Sequence, residues 1–314
     1  MTGKSFVSQF RISPGQRIRL KDFDPTDTGK YIKKDAYEKL EELRDKMNDL
    51  QQRLFAEHKR SLLICLQALD AGGKDGVIKH VIGSMNPDGC HVANFKEPTQ
   101  QELAHNFLWR IEAQTPAKGN IAIFNRSHYE DVLIVRVHNL VPRSIWSQRY
   151  DQINCFEQRL ASNGTHILKF FLHISKEEQL KRFEQRLDDP AKRWKISEAD
   201  YAEREYWDGY LRAYEDALAR CNSDDAPWFV IPADHKWFRD LAISEIIVST
   251  MDSMNFQVPA PTVDIEKIRR KYHSAAFGGK HDNPATQAIS PRRHLAARPS
   301  SLSPPPPPAL SLIP

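Results

Sequence analysis

The stretch that most constrains the fold is residues 62–81, LLICLQALDAGGKDGVIKHV. It begins with an apolar run that predicts a buried strand, and the run ends at a turn containing Gly72 and Gly73. A helical pattern of apolar residues then begins near Lys74. This layout is typical of a phosphate-binding loop, in which backbone N–H groups face an anion and the lysine adds a full charge. The competing interpretation is an ordinary tight turn with a solvent-facing lysine.

The loop departs from the usual pattern G-x-x-x-x-G-K-[ST] at two positions. Ala68 occupies the first glycine position, and Asp75 occupies the Ser/Thr position. The hydroxyl that holds magnesium in the usual loop is therefore missing, and a carboxylate must take over that role. Asp70 lies inside the loop and is the first candidate, because carboxylate oxygens are preferred Mg²⁺ ligands.

Composition indicates a soluble globular protein of 314 residues, with 40% hydrophobic and 27% charged residues. No apolar run approaches the roughly 18–20 residues that span a bilayer. The N-terminal residues contain no apolar signal core, so we expect a cytosolic protein with no membrane partner. The cysteine spacing fits no zinc or redox motif, and we expect reduced thiols throughout.

The formal net charge of +4 is concentrated at the C-terminal end. After Arg270 there are five basic residues and one acidic residue, a net charge of +4, so residues 1–270 sum to zero. An anion site in the folded part must then be a local cluster of basic residues. We therefore expect no nucleic acid partner. A non-catalytic phosphate- or nucleic-acid-binding module is the competing hypothesis, and DNA binding with a steep salt dependence would support it.

Five apolar runs alternate with helical patterns after a long first helix. Residues 1–30 are predicted to be irregular, and an amphipathic pattern predicts a helix over 31–59. The predicted strands are residues 62–68, 91–95, 120–124, 167–174 and 228–232. Such alternation predicts a parallel sheet between layers of helices. A last helix is predicted over 236–254.

Low hydrophobicity and dense proline distinguish the C-terminal part of the chain. Such a segment cannot bury enough apolar surface to fold, so a disordered tail is predicted over 271–314. A docking peptide for an aromatic groove is the alternative, because the proline run favours polyproline II. The predicted organisation is an irregular segment 1–30, a catalytic domain 31–270 and this tail.

The third predicted strand ends in FNRSHYED, which places charged residues at the edge where ligands bind in open α/β sheets. Arg126 follows the strand, and Glu130 and Asp131 lie one helical turn further on. The position of the usual magnesium-binding acid is occupied by the neutral Asn125. The competing interpretation is a surface salt bridge and a preference of helix starts for acidic residues.

Residues 181–195 are rich in basic side chains, which are Lys181, Arg182, Arg186, Lys192, Arg193 and Lys195. Guanidinium groups suit phosphate oxygens, and a basic flap over a phosphate site would exclude water and neutralise charge. We predict a lid over about residues 181–200, between the fourth strand and the next helix. In isolation the segment would be interpreted as a solvated charged helix.

The motifs LDAGGKDG, FKEPT, FNRSHYEDVLIVRV and DDPAKRWKIS, in this order, resemble the polyphosphate kinase 2 family. The FNRSHYED version resembles the class III subgroup, which phosphorylates both AMP and ADP. The resemblance covers roughly residues 15–260. It implies a three-layer α/β P-loop kinase fold similar to thymidylate kinase, with a five-stranded parallel sheet flanked by helices and a helical lid. It also implies transfer of the terminal phosphoryl group of polyphosphate to a nucleotide, with Mg²⁺ (Mn²⁺ as an alternative) and a homo-oligomer, a dimer or tetramer.

The resemblance and the motifs together give the expected site. The expected catalytic residues are Asp70, Lys74, Arg126 and Asp131, with Asp70 and Asp131 as metal ligands. The expected phosphate-binding residues are Ala71, Gly72, Gly73, Lys74, Asp75, Gly76, Arg126, Arg182, Arg186, Lys192, Arg193 and Lys195. The expected nucleotide-binding residues are Phe95, Lys96, Pro98, Thr99, Asn125, Glu130 and Arg136. The commoner family pattern has Asp at position 125 and Asn at position 130, so the second metal ligand is open, and Glu130 favours AMP as an acceptor.

The nearest rival function is a nucleoside monophosphate kinase with ATP as donor. It would share the fold and the loop, but it would need a pocket for the ATP base in place of a channel for a phosphate chain. Adenine nucleotides, with guanine nucleotides as an alternative, are the expected acceptors.

Overall fold

Five parallel strands form the centre of this computed structural model, which describes residues 5–273. They are β1 (Ser61–Ala68), β2 (Cys90–Asn94), β3 (Ile121–Asn125), β4 (Thr165–His173) and β5 (Trp228–Pro232). Their order in the sheet is β2-β3-β1-β4-β5, and every pair is parallel. All five predicted strands are confirmed, with ends that differ by at most two residues.

Thirteen helices lie among the residues that the structure describes. They are α1 (Phe6–Phe10), α2 (Lys33–Glu57), α3 (Lys74–His80), α4 (Gln100–Leu103), α5 (Trp109–Glu112), α6 (Ile134–Val137), α7 (Arg143–Trp146), α8 (Arg149–Ser162), α9 (Lys176–Asp188), α10 (Glu198–Ala202), α11 (Trp207–Arg220), α12 (Lys236–Ser253) and α13 (Ile265–Ile268). Short 3₁₀ turns connect several of them, and one of these, His128–Val132, follows β3.

β1 is the central strand, and all eight of its residues are buried. It pairs with β3 on one side and β4 on the other. Parallel strands that are buried on both faces have near-continuous apolar sequences. β1 and β4 contain such apolar runs and are buried along almost their whole length. The loop after β1 and the segment after β3 therefore meet at one edge of the sheet.

The amphipathic helix α2 packs against α12 with Leu40, Met47 and Leu54 buried, as its periodicity predicts. Tyr37 and Phe55 also recur at three- and four-residue steps in the apolar pattern of this helix, but each is 52% exposed. Their positions fall off the buried stripe of a helix with 3.6 residues per turn, so their rings stay near the surface.

The N-terminal segment is not wholly irregular, which corrects the prediction for residues 1–30. Helix α1 begins after Ser5, whose side chain accepts a hydrogen bond from the N–H of Val7. Phe6 and Phe10 are buried, and both rings pack edge-on against Phe238 of α12. Two aromatic residues four positions apart thus place this segment in the core.

The chain divides into two units, Met1–Ala260 and Pro261–Pro314. The sheet, the loop after β1 and the segment 181–200 all belong to the first. The predicted tail lies, from residue 274 on, outside the described residues. Within the described range, no helix has the length and apolar character needed to cross a membrane.

Candidate active site

The turn between β1 and α3 has the backbone of an anion-binding loop. Gly72 donates its N–H to the carbonyl of Leu69 at 3.0 Å, which closes the turn. Ala71 has φ 57° and Gly73 has φ 110°, so the chain passes twice through the left-handed region. Such alternation turns successive N–H groups inward. A left-handed Ala carries about 1–3 kcal/mol of strain, and strain of this kind clusters at functional sites.

Lys74 begins α3 and folds back over the loop. Its Nζ donates to the carbonyl of Ala68 at 2.9 Å. Burial lowers the pKa of Lys74, and the negative charges of Asp70 and Glu130 oppose that shift. A bound phosphate would favour the charged ammonium further.

Arg126 brings the end of β3 to the loop. Its backbone N–H donates to the carbonyl of Leu66 in β1, and its φ of 63° is again left-handed. Arg126 Nη2 lies 3.5 Å from Asp70 Oδ1, a loose contact that leaves both side chains partly exposed. Burial opposes the charge on Arg126, but Glu130 and Asp70 outweigh it and raise its pKa. Asp70, Lys74, Arg126 and Glu130 thus form one electrostatic cluster.

Gln67, a buried residue of β1, fixes Glu130 in this cluster. With its amide oriented to satisfy both neighbours, Gln67 donates to Glu130 Oε1 at 3.0 Å and accepts from Ser127 Oγ at 3.0 Å. Burial raises the pKa of Glu130, while Arg126 and then Lys74 act in the opposite direction. A strand residue therefore holds the acidic side chain toward the loop.

Asp131 occupies a different environment from its neighbour Glu130. Its Oδ1 accepts a hydrogen bond from Arg149 Nη1 at 2.7 Å. Burial raises the pKa of Asp131 to about 6, and the charges of Arg149 and Arg110 reduce the shift. The structure therefore brings Glu130 to the loop cations and places Asp131 with the arginines of α5 and α8.

The predicted lid contacts the loop through Asp75. Lys195 Nζ lies 3.1 Å from Asp75 Oδ2, and the Asn125 amide donates to Asp75 Oδ1 at 3.1 Å. These two contacts outweigh burial and lower the pKa of Asp75. Asn125 also donates to Asn94 Oδ1 at 2.8 Å, so it links β2 and β3 to the loop.

The other lid cations contact the lid itself. Arg186 Nη1 donates to the carbonyl of Lys195 at 3.3 Å, and Arg193 Nε donates to that of Leu187 at 2.8 Å. Lys192 Nζ pairs with Asp189 at 2.6 Å. The segment therefore has its own hydrogen-bonded structure, and Lys192 and Arg193 are exposed.

Arg182 lies under the loop and contacts backbone carbonyls. Its Nη1 donates to Ala71 O at 2.8 Å, and Nη2 donates to Ala233 O at 2.6 Å. Nε pairs with Glu178 at 2.9 Å. Arg182, predicted as a phosphate-binding residue of the lid, contacts the backbone of the loop in this structure.

The residues expected to bind the nucleotide are spread over two places. Phe95 is buried against Phe124, and Thr99 is engaged as the N-cap of α4, where it forms a capping box with Glu102. Lys96 is exposed at the end of β2. Arg136 pairs with Asp216 at 2.6 Å, in a separate pocket of about 330 Å³.

The donor set fits magnesium held mainly by substrate. Asp70 presents a partly exposed carboxylate with one loose contact, to Arg126. Mg²⁺ in phosphate-transferring sites is commonly bound by one or two carboxylates plus substrate phosphates and waters. In the described residues, no cluster of three or more His, Cys, Asp or Glu side chains is arranged around a cation position.

Two buried polar residues near the site were not predicted from the sequence. Gln67 sits in an otherwise apolar strand run, and Arg239 is a buried arginine in the apolar helix α12, 1% exposed. A polar residue inside an apolar run is a signal for both, since such groups need a buried partner. The pattern cannot identify that partner.

The comparisons with known proteins cover all these segments. The family model for polyphosphate kinase 2 matches residues 30–259. An AMP/ADP-polyphosphate phosphotransferase from Meiothermus ruber is 49% identical over 264 residues, which cover 83% of this chain and 99% of that protein. An ADP-polyphosphate phosphotransferase from Rhodopseudomonas palustris is 45% identical, covering 82% and 93%. The crystal structure of polyphosphate kinase 2 from Arthrobacter aurescens TC1 matches with a TM-score of 0.82 at 41% identity, covering 85% and 96%.

Proposed function

The chain belongs to the polyphosphate kinase 2 family, and from that premise we propose that it transfers the terminal phosphoryl group of inorganic polyphosphate to AMP and to ADP. The products are ADP and ATP. The observation that carries the proposal is the cluster of Asp70, Lys74, Arg126 and Glu130, next to a basic lid that reaches Asp75. Phosphoryl transfer needs positioning and neutralised charge and little covalent chemistry, and this cluster offers both.

The loop backbone, Lys74 and Arg126 are proposed to have different roles. Backbone N–H groups of Gly72 and Gly73 and the ammonium of Lys74 hold phosphates near the transfer point. Arg126 stabilises the transferring group, since its guanidinium suits phosphate oxygens. The lid cations Arg186, Lys192, Arg193 and Lys195 line the path of the polyphosphate chain and help to exclude water. A general base is not required, because a nucleotide phosphate is already ionised at neutral pH.

Asp70 is the proposed primary ligand of Mg²⁺. When bound, the metal would neutralise charge on the donor and acceptor oxygens. Two carboxylates are candidates for a second ligand: Glu130, which faces the loop cations, and Asp131, which would first have to release Arg149. Titration of the variants E130Q and D131N with Mn²⁺, followed by electron paramagnetic resonance, distinguishes them, because loss of a direct ligand weakens metal binding more than loss of a nearby charge.

The acceptor nucleotide is proposed to bind at the ends of β2 and β3. Lys96, Pro98, Asn125 and Glu130 are its proposed contacts, and Phe95, which packs on Phe124, would support them. Thr99 shapes the same segment as the N-cap of α4. Arg136 stays a prediction for nucleotide binding, since its present partner is Asp216.

A cytosolic location and a homo-oligomer complete the proposal. All four cysteines are free thiols, which supports a reducing compartment. Gel filtration with light scattering tests the oligomeric state directly.

A donor swap tests the function. The protein is incubated with Mg²⁺ and AMP, with either long-chain polyphosphate or ATP, and ADP and ATP are followed over time. The expected result is ADP and then ATP with polyphosphate only. Activity with ATP only would make the protein a nucleoside monophosphate kinase. If polyphosphate converts ADP to ATP but AMP is inert, polyphosphate is still the donor, and the prediction that Glu130 favours AMP as an acceptor is wrong.

Substitution of Lys74 tests the loop assignment, with Lys79 of the same helix as control. K74M removes the ammonium that neutralises phosphate charge, so kcat should fall by about three orders of magnitude or more with the fold retained. K79M, at an exposed position of α3, should stay within about twofold of the wild type. Near-normal activity of K74M would show that the loop is not the phosphate site.

A further inference from the structure

Arg239, in the first turn of α12, is a buried arginine to which the proposed mechanism gives no role. It is 1% exposed. Its Nε and Nη2 both donate to Asp240 Oδ1, at 2.9 and 2.7 Å. Because burying a guanidinium is costly unless it is paired and hydrogen-bonded, the position of Arg239 requires an explanation.

The guanidinium lies directly against the loop at Gly73 and Gly76. A Cβ atom at Gly73 would lie 1.9 Å from Arg239 Nη1, and one at Gly76 would lie 2.8 Å from Nη2. A side chain at Gly73 would have to displace this guanidinium, and the φ of 110° would add backbone strain. The two glycines on either side of Lys74 therefore let the loop backbone rest on Arg239.

Three cationic side chains, Arg182, Lys236 and Arg239, lie close together near the loop. Arg182, which holds the carbonyl of Ala71, lies close to Arg239. Burial lowers the pKa of Arg182, and the charge of Arg239 acts in the same direction. The pKa of Lys236 is also lowered by burial, then by Arg182, with Arg239 contributing. Asp240 pairs with Arg239, and Glu178 pairs with Arg182. An anion held over the loop would reduce the repulsion that remains among the three cations.

We propose that Arg239 is a positioning residue for the phosphate chain: it supports the backbone at Gly73 and Gly76 and adds a buried positive charge behind the loop. The ligand class is an inorganic oligophosphate, and the inference rests on the proposed function in taking the loop as the donor site. Arg239 acts through the loop backbone and does not itself contact the reacting atoms.

The alternative is that Arg239 only fills space. Variants with and without the positive charge distinguish the two roles. R239M keeps the length of the side chain and removes the charge, whereas R239K keeps the charge and loses the planar fork. If Arg239 only fills space, R239M and R239K should weaken phosphate binding to the same extent. An electrostatic role makes R239M the worse variant.

Arg44 of α2 provides a matched control, because it contacts the C-terminal end of α3. Its Nε and Nη2 donate to the carbonyl of His80, the last residue of α3, at 3.1 and 2.7 Å. R44M therefore removes an arginine that supports α3 without touching the loop.

The experiment measures binding of Mg²⁺–tripolyphosphate to the full-length proteins by calorimetry, without nucleotide. Kd should rise about tenfold in R239M, less than about threefold in R239K and not at all in R44M, because the buried charge acts only on phosphate over the loop. In kinetic assays, KM for polyphosphate should rise in R239M while KM for AMP is unchanged. A uniform loss of stability would not produce this split.

An unchanged Kd in folded R239M, or an equal rise in R239M and R239K, would overturn the inference. If R239M does not fold, R239Q replaces it, since its amide can still donate to Asp240, and the same criterion applies. A wild-type protein that binds tripolyphosphate but does not phosphorylate AMP or ADP would refute the proposed function. The ratio of Kd values would still test Arg239.

Discussion

Glu130 and Asp131 are adjacent in sequence, yet their carboxylates point in different directions and have different partners. The residues lie in the 3₁₀ turn His128–Val132, in which successive side chains point about 120° apart. One carboxylate therefore reaches Gln67 and the loop cations, while the other reaches Arg149. The sequence leaves either acid free to face the site, and the packing of Gln67 and Arg149 around the turn separates them.

Stability of the protein should depend on pH through Asp131. Its folded pKa of about 6 lies above the ordinary value of 3.8, so between these values the folded state binds more protons than the unfolded state. The contribution of this group is therefore fully present below pH 3.8 and is lost as pH rises to 6. The free energy of unfolding of D131N relative to wild type should rise by about 2 kcal/mol from pH 4.5 to 7.

Urea denaturation at several pH values checks this expectation. D151N, at an exposed aspartate on the helix that carries Arg149, serves as control and should show no such trend. A difference between D131N and wild type that stays constant with pH would contradict the assignment of a raised pKa.

The elements around the site are joined by a buried ionic network. Lys169 in β4 pairs with Glu157 of α8 at 2.6 Å and donates to Tyr129 Oη at 2.9 Å. His128 also contacts Glu157, at 3.0 Å. Burial opposes the charge on Glu157, but Lys169 and His128 outweigh it and lower the pKa. The network fixes the turn that carries Glu130 to the neighbouring strand and helix.

Removing Lys169 should be strongly destabilising. K169M leaves Glu157 buried without its cation, which should cost about 3–5 kcal/mol of unfolding free energy. The double variant K169M/E157Q removes the stranded charge, so its loss should be smaller than the sum of the two single losses. Urea denaturation measures all three.

Lys181, with a side chain 66% exposed, provides the control for this cycle. K181M should change the unfolding free energy by less than about 0.5 kcal/mol. A loss below about 1 kcal/mol in K169M would show that the buried pair does not stabilise the fold.

The charge of the whole molecule is distributed unevenly. Residues 1–270 are formally neutral, so the basic character of the site comes from local placement of the loop, lid and Arg126. Screening over about 10 Å at 0.1 M salt limits the reach of distant charges to this site. The described contacts of the loop and lid are all made within Met1–Ala260.

A variant that ends at His273 should therefore keep the activity. We expect kcat for polyphosphate and AMP within about twofold of the full chain, because no residue of the proposed site is removed. The melting temperature should change by less than about 3 °C. A tenfold loss of kcat would assign residues 274–314 a part in substrate binding and would favour the alternative of a functional tail.

Much of the fold and part of the site follow from the sequence alone. The continuous apolar runs of β1 and β4, the glycine turn before Lys74 and the basic stretch 181–195 are local patterns, and each reflects the conformation of neighbouring residues. The match of several motifs in order then indicated the family. These features predicted that the loop and the end of β3 would meet at one edge of the sheet.

Tertiary structure decided which side chains meet inside that frame. Arg239 reaches Gly73, Arg182 reaches Ala71 O, and Lys169 finds Glu157 only after distant helices pack on the sheet. Hydrophobic periodicity records which face of an element is buried, but it does not record which polar groups share the buried space. The partners of buried charges depend on the packing of all elements together, and only the folded chain fixes them.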